Sequence, residues 1–570
     1  MWTNKQRNVI KPQQGTPESA TSKLDTTELV TSQLVTTKLV TSEPVTTELV
    51  TSELVTKEAF KTKVITSERF PQTKSLKSRT SKRRDTKPAT KSTATTATDS
   101  TTAPVYGIET TDSPTEVAGN DNDIVCKLPK LDPWDRSISH LLSEEGVDPG
   151  CTTRYPLSPF DVINNKLVPK PGVSLYKFHS VSVTTIERPA NDDWQVNHDD
   201  VISPFVDAIK SDFFRVNYVK NNNQHLSHLY ARVVPKKHMK DKFAATKRSH
   251  KNSKNIRDLS VLILGFDSTS FANFLRKMKH SLDFLVKGDL HTHFLKGYTV
   301  IGDATTPNMC ALLTGKDETE VPEARRSYFG AQPTDSWPWL AKEFKSKGYA
   351  TLFAEDDPTM GMFNLRLLGL QNPDGIYDHY MRPFWLELES AGERDEPGVC
   401  SKSTSMANFT LDYLTSFFEA YSDMPKFGFA FMGFSTHARP NYLSFIDYDL
   451  LHFLKFFKKN NFHKNTMLVI LGDHGSRNDD VRNTMQGKLE ERLPWLSITL
   501  PKWVEEKYPE IRAALRHNQN LISTPFDMHA TLRHVLTYPD PPNGEKGQSL
   551  FTKLPRNRTC QDACKYAIQN

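Results

Sequence analysis

From residue 259 onward, short uninterrupted apolar runs alternate with longer segments in which apolar residues recur at helical spacing. Runs of this length that are rich in β-branched and aromatic residues are typical of buried strands, and each one ends at an acid, a hydroxyl or an imidazole. The strand-like runs are 260–266, 350–354, 427–434 and 467–471, and the helix-like segments include 271–285 and 448–458. This alternation predicts an α/β fold with a mostly parallel sheet that is sandwiched by helices.

The region before this alternation has a different pattern. Between residues 126 and 235 the apolar runs are short and are separated by turn residues, which predicts a small β-rich module. Its expected strands are 173–178, 181–186, 214–219 and 229–234. The polar segment that follows predicts a connector. We therefore expect a lead-in module and linker over residues 120–257 and the main α/β domain over residues 258–565.

Residues 1–119 carry no pattern that would bury a core. Within them, residues 26–55 repeat a five-residue unit such as Thr-Thr-Glu-Leu-Val. A period of five matches neither a strand nor a helix, so no continuous apolar face forms and the region is predicted to be disordered. A stalk that carries O-glycans and a solvated spacer remain alternative interpretations of this Ser/Thr/Lys-rich composition.

Charge changes this picture only slightly. The net charge is +6, and basic residues concentrate near residues 57–92, including Lys82, Arg83 and Arg84. A solvated basic tail and a nuclear protein are both compatible with such a run. Because no aromatic side chains interleave with Ser81–Arg84 to stack on bases, no nucleic acid partner is expected.

Cysteines and sequons indicate a compartment. The chain has six cysteines, and pairs of them lie near both ends of the folded part. An even number in this arrangement favours disulfides in an oxidising environment. Asn408 and Asn557 begin acceptor sequons for N-glycans, which predicts a glycoprotein of the secretory pathway, extracellular or membrane-associated. No signal peptide or transmembrane run is visible in the sequence. A start site missing from the sequence, or a cytosolic protein with six reduced thiols, would also account for this combination.

The candidate chemistry lies where the strands end. Asp267 follows one apolar run, and Asp473 and His474 follow another. Thr305 and Thr306 stand where a short helix begins, with Pro307 expected at its first position. If a divalent cation lies beside Thr305, its hydroxyl loses a proton more easily and becomes a nucleophile. The alternative is that the threonine only caps the helix. Carboxylates with an imidazole suit Zn²⁺ or Mn²⁺, so these side chains are expected to converge on a metal site.

Four motifs follow one another along the chain: Gly265-Phe-Asp-Ser268, Gly302-Asp-Ala-Thr-Thr-Pro-Asn308, Gly472-Asp-His-Gly475 and Glu490-Glu-Arg-Leu-Pro494. In this order they resemble the alkaline-phosphatase-like, sulfatase-like superfamily, and more narrowly the family known as domain of unknown function 229 (DUF229). The resemblance covers about residues 120 to 565 and leaves the pentapeptide repeats unexplained.

The resemblance implies a set of site residues. Thr305 would be the nucleophile and would bridge the metal ions, and the amide of Asn308 would hold a non-bridging oxygen of the substrate. One or two divalent ions, with Zn²⁺ expected, would be bound by further ligands. These are Asp267, His437, Asp473 and His474. Glu355 and Asp356 are interpreted either as additional ligands or as loop acids.

Two departures from the family pattern bear on function. Thr305 occupies the place where a sulfatase has the Cys or Ser that becomes formylglycine, which disfavours sulfate ester cleavage by that route. No histidine follows Gly475 where phosphodiesterase relatives place a late ligand, so the second metal site is expected to be incomplete. The sequence thus predicts a metal-dependent hydrolase or transferase of phosphate, less so sulfate, esters. The alternative is a catalytically silent secreted or membrane-associated binding protein, with matrix or membrane contact, that kept the fold.

Overall fold

In the computed structural model of the chain, the described residues are 124–143, 149–189, 193–201, 203–245, 254–395, 398–437 and 439–563. The predicted disordered region, with its repeats at 26–55, lies outside the described residues, and so does Cys564.

The strands and helices follow in chain order. The strands are β1 (Phe160–Ile163), β2 (Lys166–Pro169), β3 (Phe178–Glu187), β4 (Asn197–Val201), β5 (Phe213–Lys220), β6 (His225–Ala231), β7 (Ser260–Phe266), β8 (His291–Phe294), β9 (Ala350–Glu355), β10 (His379–Tyr380), β11 (Cys400–Ser401), β12 (Thr404–Ser405), β13 (Lys426–Met432), β14 (Thr466–Gly472) and β15 (Leu496–Leu500). The α-helices are α1 (Cys151–Arg154), α2 (Lys237–Ala245), α3 (Phe271–Lys277), α4 (Lys279–Lys287), α5 (Thr305–Thr314), α6 (Leu340–Ser346), α7 (Arg382–Ser390), α8 (Met406–Ala420), α9 (Asp447–Lys459), α10 (Met485–Arg492), α11 (Lys502–Lys507), α12 (Pro509–Asn518), α13 (Pro525–Thr537) and α14 (Cys560–Ala563).

The main sheet has seven strands in the order β10-β9-β13-β7-β14-β15-β8. The first five of these run parallel to one another, and β15 pairs antiparallel with both β14 and β8. The mostly parallel α/β sheet predicted from the sequence is therefore confirmed. The antiparallel strand β15 was not predicted.

Helices cover both faces of this sheet. In β7 the alternating residues Val261 and Ile263 belong to one buried cluster, and Leu262 and Leu264 belong to the cluster on the other face. Because successive side chains of a strand point to opposite faces, a strand buried on both sides must be apolar throughout. This explains why the central strands appear in the sequence as uninterrupted apolar runs.

The single helix predicted for 271–285 is wrong, because two helices, α3 and α4, meet at Met278. The backbone of Met278 leaves the helical region with φ −104° and ψ 46°. The first free N–H groups of α4, those of His280 and Ser281, donate to the carboxylate of Asp447 in α9, each at 2.8 Å. The carboxylate of Asp447 therefore caps the start of α4, and one continuous apolar pattern in the sequence forms two helices.

The β-rich module is an antiparallel sheet in the order β4-β3-β5-β6. The predicted strand at 173–178 is wrong, because a 3-10 turn, Leu175–Lys177, precedes β3. One face of this sheet contributes Ile186, Phe213 and Leu229 to the same buried cluster as Leu262 of the main sheet. The domain boundary placed at residues 257 and 258 stays a prediction.

Disulfides join distant parts of the chain. Cys126 pairs with Cys560, Cys151 pairs with Cys400, and Cys310 is a buried free thiol. Such pairs indicate an oxidising environment of the secretory type. In the part of the chain that the structure describes, no helix has the length and apolar character to span a bilayer. Glycosylation of Asn408 and Asn557 stays a prediction.

Candidate metal centre

The parallel pairing of β7 with β14 brings two acids side by side. Phe266 at the end of β7 is in register with Gly472 at the end of β14. Asp267 and Asp473 directly follow these residues, so both carboxylates emerge at the same edge of the sheet. The next residue, His474, completes a group with one ligand atom from each member, all within 4.8 Å of one another.

This group is buried and compact. Nε2 of His474 lies 3.1 Å from Oδ2 of Asp473 and 4.0 Å from Oδ1 of Asp267. Burial and the neighbouring charge of Asp473 raise the pKa of Asp267 well above its usual value. The structure thus brings together three of the four predicted non-hydroxyl ligands.

The two oxygens of Asp473 differ in their partners. Oδ1 accepts hydrogen bonds from the backbone N–H groups of Ser268 and His474, at 3.0 and 2.8 Å. Oδ2 is buried and has no hydrogen-bond partner among the described residues. An unpaired carboxylate oxygen in the interior costs free energy unless a cation faces it.

The orientation of His474 agrees with a cation at the same place. Its Nδ1 donates to the carbonyl of Gly475 at 2.7 Å. This hydrogen bond leaves Nε2, which faces the carboxylates of Asp267 and Asp473, as the ring nitrogen that a cation can bind. Two carboxylates and an imidazole form a donor set that fits a divalent cation such as Zn²⁺.

Ser268 orders this group and was not predicted as a site residue. Its backbone has φ 57°, in the left-handed region, and this turn directs its N–H toward Asp473. Its hydroxyl donates to Oδ1 of Asp267 at 2.9 Å. The sequence holds a weak indication of this role, because the serine directly follows the acid that ends β7.

Thr305 lies beside the cluster. It is the first residue of α5, it is half-buried, and its Oγ1 is 3.4 Å from Nε2 of His474. Ala304, the residue before it, has φ 82° and gives the helix no side-chain cap. Pro307 is the third helical residue, so its predicted place at the first position is wrong by two residues. Gly315 ends the helix in the left-handed conformation.

Asn308 is fully buried beneath this turn. Its Oδ1 accepts from the N–H of Ile301 at 2.9 Å, and its amide group donates to the carbonyls of Gly302 and Ala304 at 3.1 and 2.8 Å. Both amide hydrogens therefore hold the turn that presents Thr305. The catalytic role expected for Asn308 stays a prediction.

Asp267 also lines a pocket in which half of the lining residues are acids. Its lining consists of Asp267, Glu355, Asp356, Asp357, Met360, Phe431, Gly433 and His437. Burial raises the pKa of Glu355 to about 8 and that of Asp356 to about 7. Asp356 nevertheless accepts backbone hydrogen bonds from Gly433 and Phe434. These acids, which the sequence analysis left as ligands or loop acids, are buried at the ends of the strands.

His437 lines this pocket but is not part of the cluster formed by Asp267, Asp473 and His474. Burial lowers the pKa of its imidazole, which favours the neutral form that binds metals. Its assignment as a ligand of a second ion stays a prediction.

Comparison with solved structures gives several similar proteins. A protein in the alkaline phosphatase superfamily from Vibrio parahaemolyticus is 16% identical, with 55% of this chain and 73% of that chain covered and a TM-score of 0.36. The C-terminal periplasmic domain of EptC from Escherichia coli, in complex with Zn, is 14% identical, with coverages of 55% and 89% and a TM-score of 0.35. A phosphonate monoester hydrolase from Silicibacter pomeroyi is 13% identical, with coverages of 52% and 77% and a TM-score of 0.36. The comparison with curated proteins gave no match.

Comparison with protein-family models identifies the family of the chain. The model described as "Protein of unknown function (DUF229)" matches residues 176–564. The match spans more than half of the chain and contains every residue of the candidate centre, in agreement with the resemblance seen in the motifs. The chain therefore belongs to the DUF229 family.

Proposed function

We propose that this protein is a metal-dependent hydrolase or transferase of phosphate esters, with Thr305 as the nucleophile. The observation that carries this proposal is the buried Oδ2 of Asp473, which accepts no hydrogen bond and lies beside Asp267, Nε2 of His474 and the hydroxyl of Thr305. A buried carboxylate oxygen without a hydrogen bond at that point supports a cation site, and the hydroxyl beside it supports covalent catalysis.

The residues of the centre have different roles in this proposal. Asp267, Asp473 and His474 would hold the ion. A bound divalent cation would lower the pKa of a neighbouring hydroxyl and stabilise negative charge on the phosphoryl oxygens. Ser268 fixes the two carboxylates, and the turn held by Asn308 precedes Thr305, whose hydroxyl lies beside His474.

The reaction proceeds by two displacements at phosphorus. Oγ1 of Thr305 forms a bond to phosphorus, the bond to the ester oxygen breaks, and the leaving alkoxide takes up a proton that balances the one lost by Thr305. Water or an acceptor alcohol then attacks the phosphothreonine, loses a proton, and returns the hydroxyl of Thr305. Water gives net hydrolysis, and an alcohol gives transfer.

The test combines metal analysis with turnover of the purified full chain. We expect wild-type protein to bind one or two Zn²⁺ ions and to hydrolyse aryl phosphates. Asp473→Asn should lose the ion, and Thr305→Ala should keep it but lose at least about 10³-fold in kcat, because no nucleophile remains. Asp480→Asn is the matched control, since it removes the same charge from an exposed site.

Two results would contradict the proposal. If Asp473→Asn binds Zn²⁺ as wild type does, the ion is not bound at this site. Full metal content without turnover of any phosphate monoester or diester would favour the alternative, a catalytically silent binding protein.

A further inference from the structure

Glu490 in α10 belongs to the motif 490–494, to which the proposed function gives no role. The residue is buried. One of its carboxylate oxygens, Oε1, accepts from Nη1 of Arg276 at 2.8 Å and from Nε2 of Gln486 at 2.9 Å. The other, Oε2, accepts from Nη2 of Arg276 at 2.6 Å and from the hydroxyl of Ser270 at 2.9 Å. Four donor atoms therefore hold this carboxylate in one orientation.

The side chain of Glu490 holds the turn that carries Asp267. Ser270, which donates to Glu490, is the third residue after Asp267 and forms a β-bridge with Pro494. Ser268 lies between them, and its hydroxyl donates to Oδ1 of Asp267 at 2.9 Å. A displacement of Ser270 would therefore move the turn that orders the first carboxylate of the centre.

The backbone of α10 holds the turn that carries Asp473 and His474. The N–H of Gly475, the next residue, donates to the carbonyl of Glu491 at 2.9 Å. The two segments approach closely, because a Cβ atom on Gly475 would lie 2.4 Å from the carbonyl oxygen of Glu490. The turn after β14 thus packs directly against the residue whose carboxylate holds the turn after β7.

The pairing of Arg276 with Glu490 indicates a role beyond stability. Both side chains are buried, with 2% and 4% of their surface exposed. Taking two charges out of water costs free energy, and well-packed apolar side chains often stabilise a protein as much as such a pair does. The hydrogen bonds of the pair, by contrast, fix one arrangement of the surrounding turns, and the ligands of a metal ion need a fixed arrangement.

We propose that Glu490 is a positioning residue of the candidate metal centre. It joins the turn after β7 to the turn after β14, so that the carboxylates of Asp267 and Asp473 and Nε2 of His474 face one cation. This inference rests on the proposed function, because the cation is the one that the function requires. Glu490 acts through these turns and is not itself one of the clustered ligands.

The experiment compares two variants of the full chain, Glu490→Gln and Ser270→Ala. Glu490→Gln removes the charge and leaves one acceptor oxygen for four donor atoms. Ser270→Ala removes the hydroxyl that links Glu490 to the turn and caps α3, and it keeps the buried pair with Arg276 intact.

Glu505→Gln is the matched control. Glu505 is also a buried glutamate, and its carboxylate contacts His291 at 3.0 Å and His293 at 2.7 Å. It lies in α11, which follows β15, and the antiparallel register of β15 with β14 places that end of β15 at the sheet edge opposite Asp473. Its substitution therefore perturbs a buried carboxylate without touching the centre.

Three measurements are made on each protein, together with turnover of aryl phosphates. Competition with a chelator gives the affinity for Zn²⁺, and the visible absorption spectrum of bound Co²⁺ reports the geometry of its ligands. Denaturant unfolding gives the stability, so that a loss of stability is separated from a change at the metal centre.

Glu490→Gln and Ser270→Ala should weaken Zn²⁺ binding by about 10- to 100-fold and change the Co²⁺ spectrum, because the ligands are no longer held toward one point. Glu505→Gln should match wild type in both, whatever stability it loses. A folded Glu490→Gln with wild-type Zn²⁺ affinity and Co²⁺ spectrum would overturn the inference, and so would an equal loss of affinity in Glu505→Gln. If Glu490→Gln does not fold, unchanged metal binding in Ser270→Ala overturns it.

The results also separate this inference from the proposed function. Zn²⁺ binding that depends on Glu490, in a protein that turns over no phosphate ester, would support the inference and contradict catalysis. Turnover by wild type with unchanged metal binding in Glu490→Gln would keep the function and overturn the inference. Wild-type protein without affinity for Zn²⁺ would overturn both.

Discussion

Asn308 shows how one buried side chain shapes the candidate centre. All of its hydrogen bonds go to the backbone of residues 301–304, directly before Thr305. The turn contains Ala304 with φ 82°, a backbone conformation that costs free energy for a residue other than glycine. The hydrogen bonds of Asn308 therefore offset local strain at the residue that precedes the proposed nucleophile, Thr305.

We predict that Asn308→Ala lowers the free energy of unfolding by about 2 kcal/mol, because buried backbone groups lose their partners. It should also lower kcat of the folded, metal-loaded enzyme, since Thr305 is no longer held. Asn518→Ala is the matched control. Asn518 is equally buried and bonds the backbone of Leu550, Thr552 and Leu554, away from the centre.

Denaturant unfolding and kinetics on both variants check this prediction. The control should lose similar stability and keep wild-type kcat. Equal effects of the two variants on kcat would mean that Asn308 acts only through stability.

At the scale of elements, much of the main sheet was predictable because its central strands are buried on both faces. That burial makes 261–266 and 467–471 apolar throughout, and an acid follows each strand, at Asp267 and Asp473. The convergence of Asp267, Asp473 and His474 follows from this, since parallel neighbours end at one edge of the sheet. Elements that depend on tertiary partners were missed. The break at Met278 depends on the carboxylate of Asp447, which lies on a helix distant in the sequence.

The acids buried at the end of β9 also make the stability of the metal-free protein depend on pH. Burial raises the pKa of Glu355 to about 8 from 4.5 and that of Asp356 to about 7 from 3.8. At a pH between the ordinary and the raised pKa of each carboxyl, the folded state holds a proton that the unfolded chain has released. Stability from these groups is thus complete at low pH and is lost as pH rises toward about 8.

We predict that wild-type protein in chelator loses more stability between about pH 5 and pH 8 than Glu355→Gln does, by several degrees in Tm. Thermal unfolding across this range, with Glu506→Gln as an exposed control, measures the difference. Identical pH profiles of wild type and Glu355→Gln would contradict the assignment of a raised pKa to this carboxyl.

At the scale of the whole molecule, the five cysteines that the structure describes are either in a disulfide or a buried free thiol. The two disulfides join residues that are 434 and 249 positions apart, and such long loops restrict the unfolded chain strongly. Cys310 lies inside α5, where burial raises the pKa of its thiol to about 12. The even number of cysteines suggested disulfides, but which cysteines pair depends on the folded arrangement of the chain.

We predict that iodoacetamide leaves Cys310 unmodified in the native protein, because a buried protonated thiol is unreactive. In denaturant without reductant, Cys310 should be alkylated while the four disulfide cysteines stay protected. Peptide mass spectrometry distinguishes these states. Native alkylation of Cys310, or alkylation of Cys126 without reductant, would contradict the structure.

The bond between Cys126 and Cys560 closes most of the described polypeptide into one covalent ring. A single protease cut anywhere inside that ring opens it without releasing a fragment. Electrophoresis without a reductant would then report one intact molecule even after every copy had been nicked. Preparations of this protein should therefore be judged for integrity under reducing conditions.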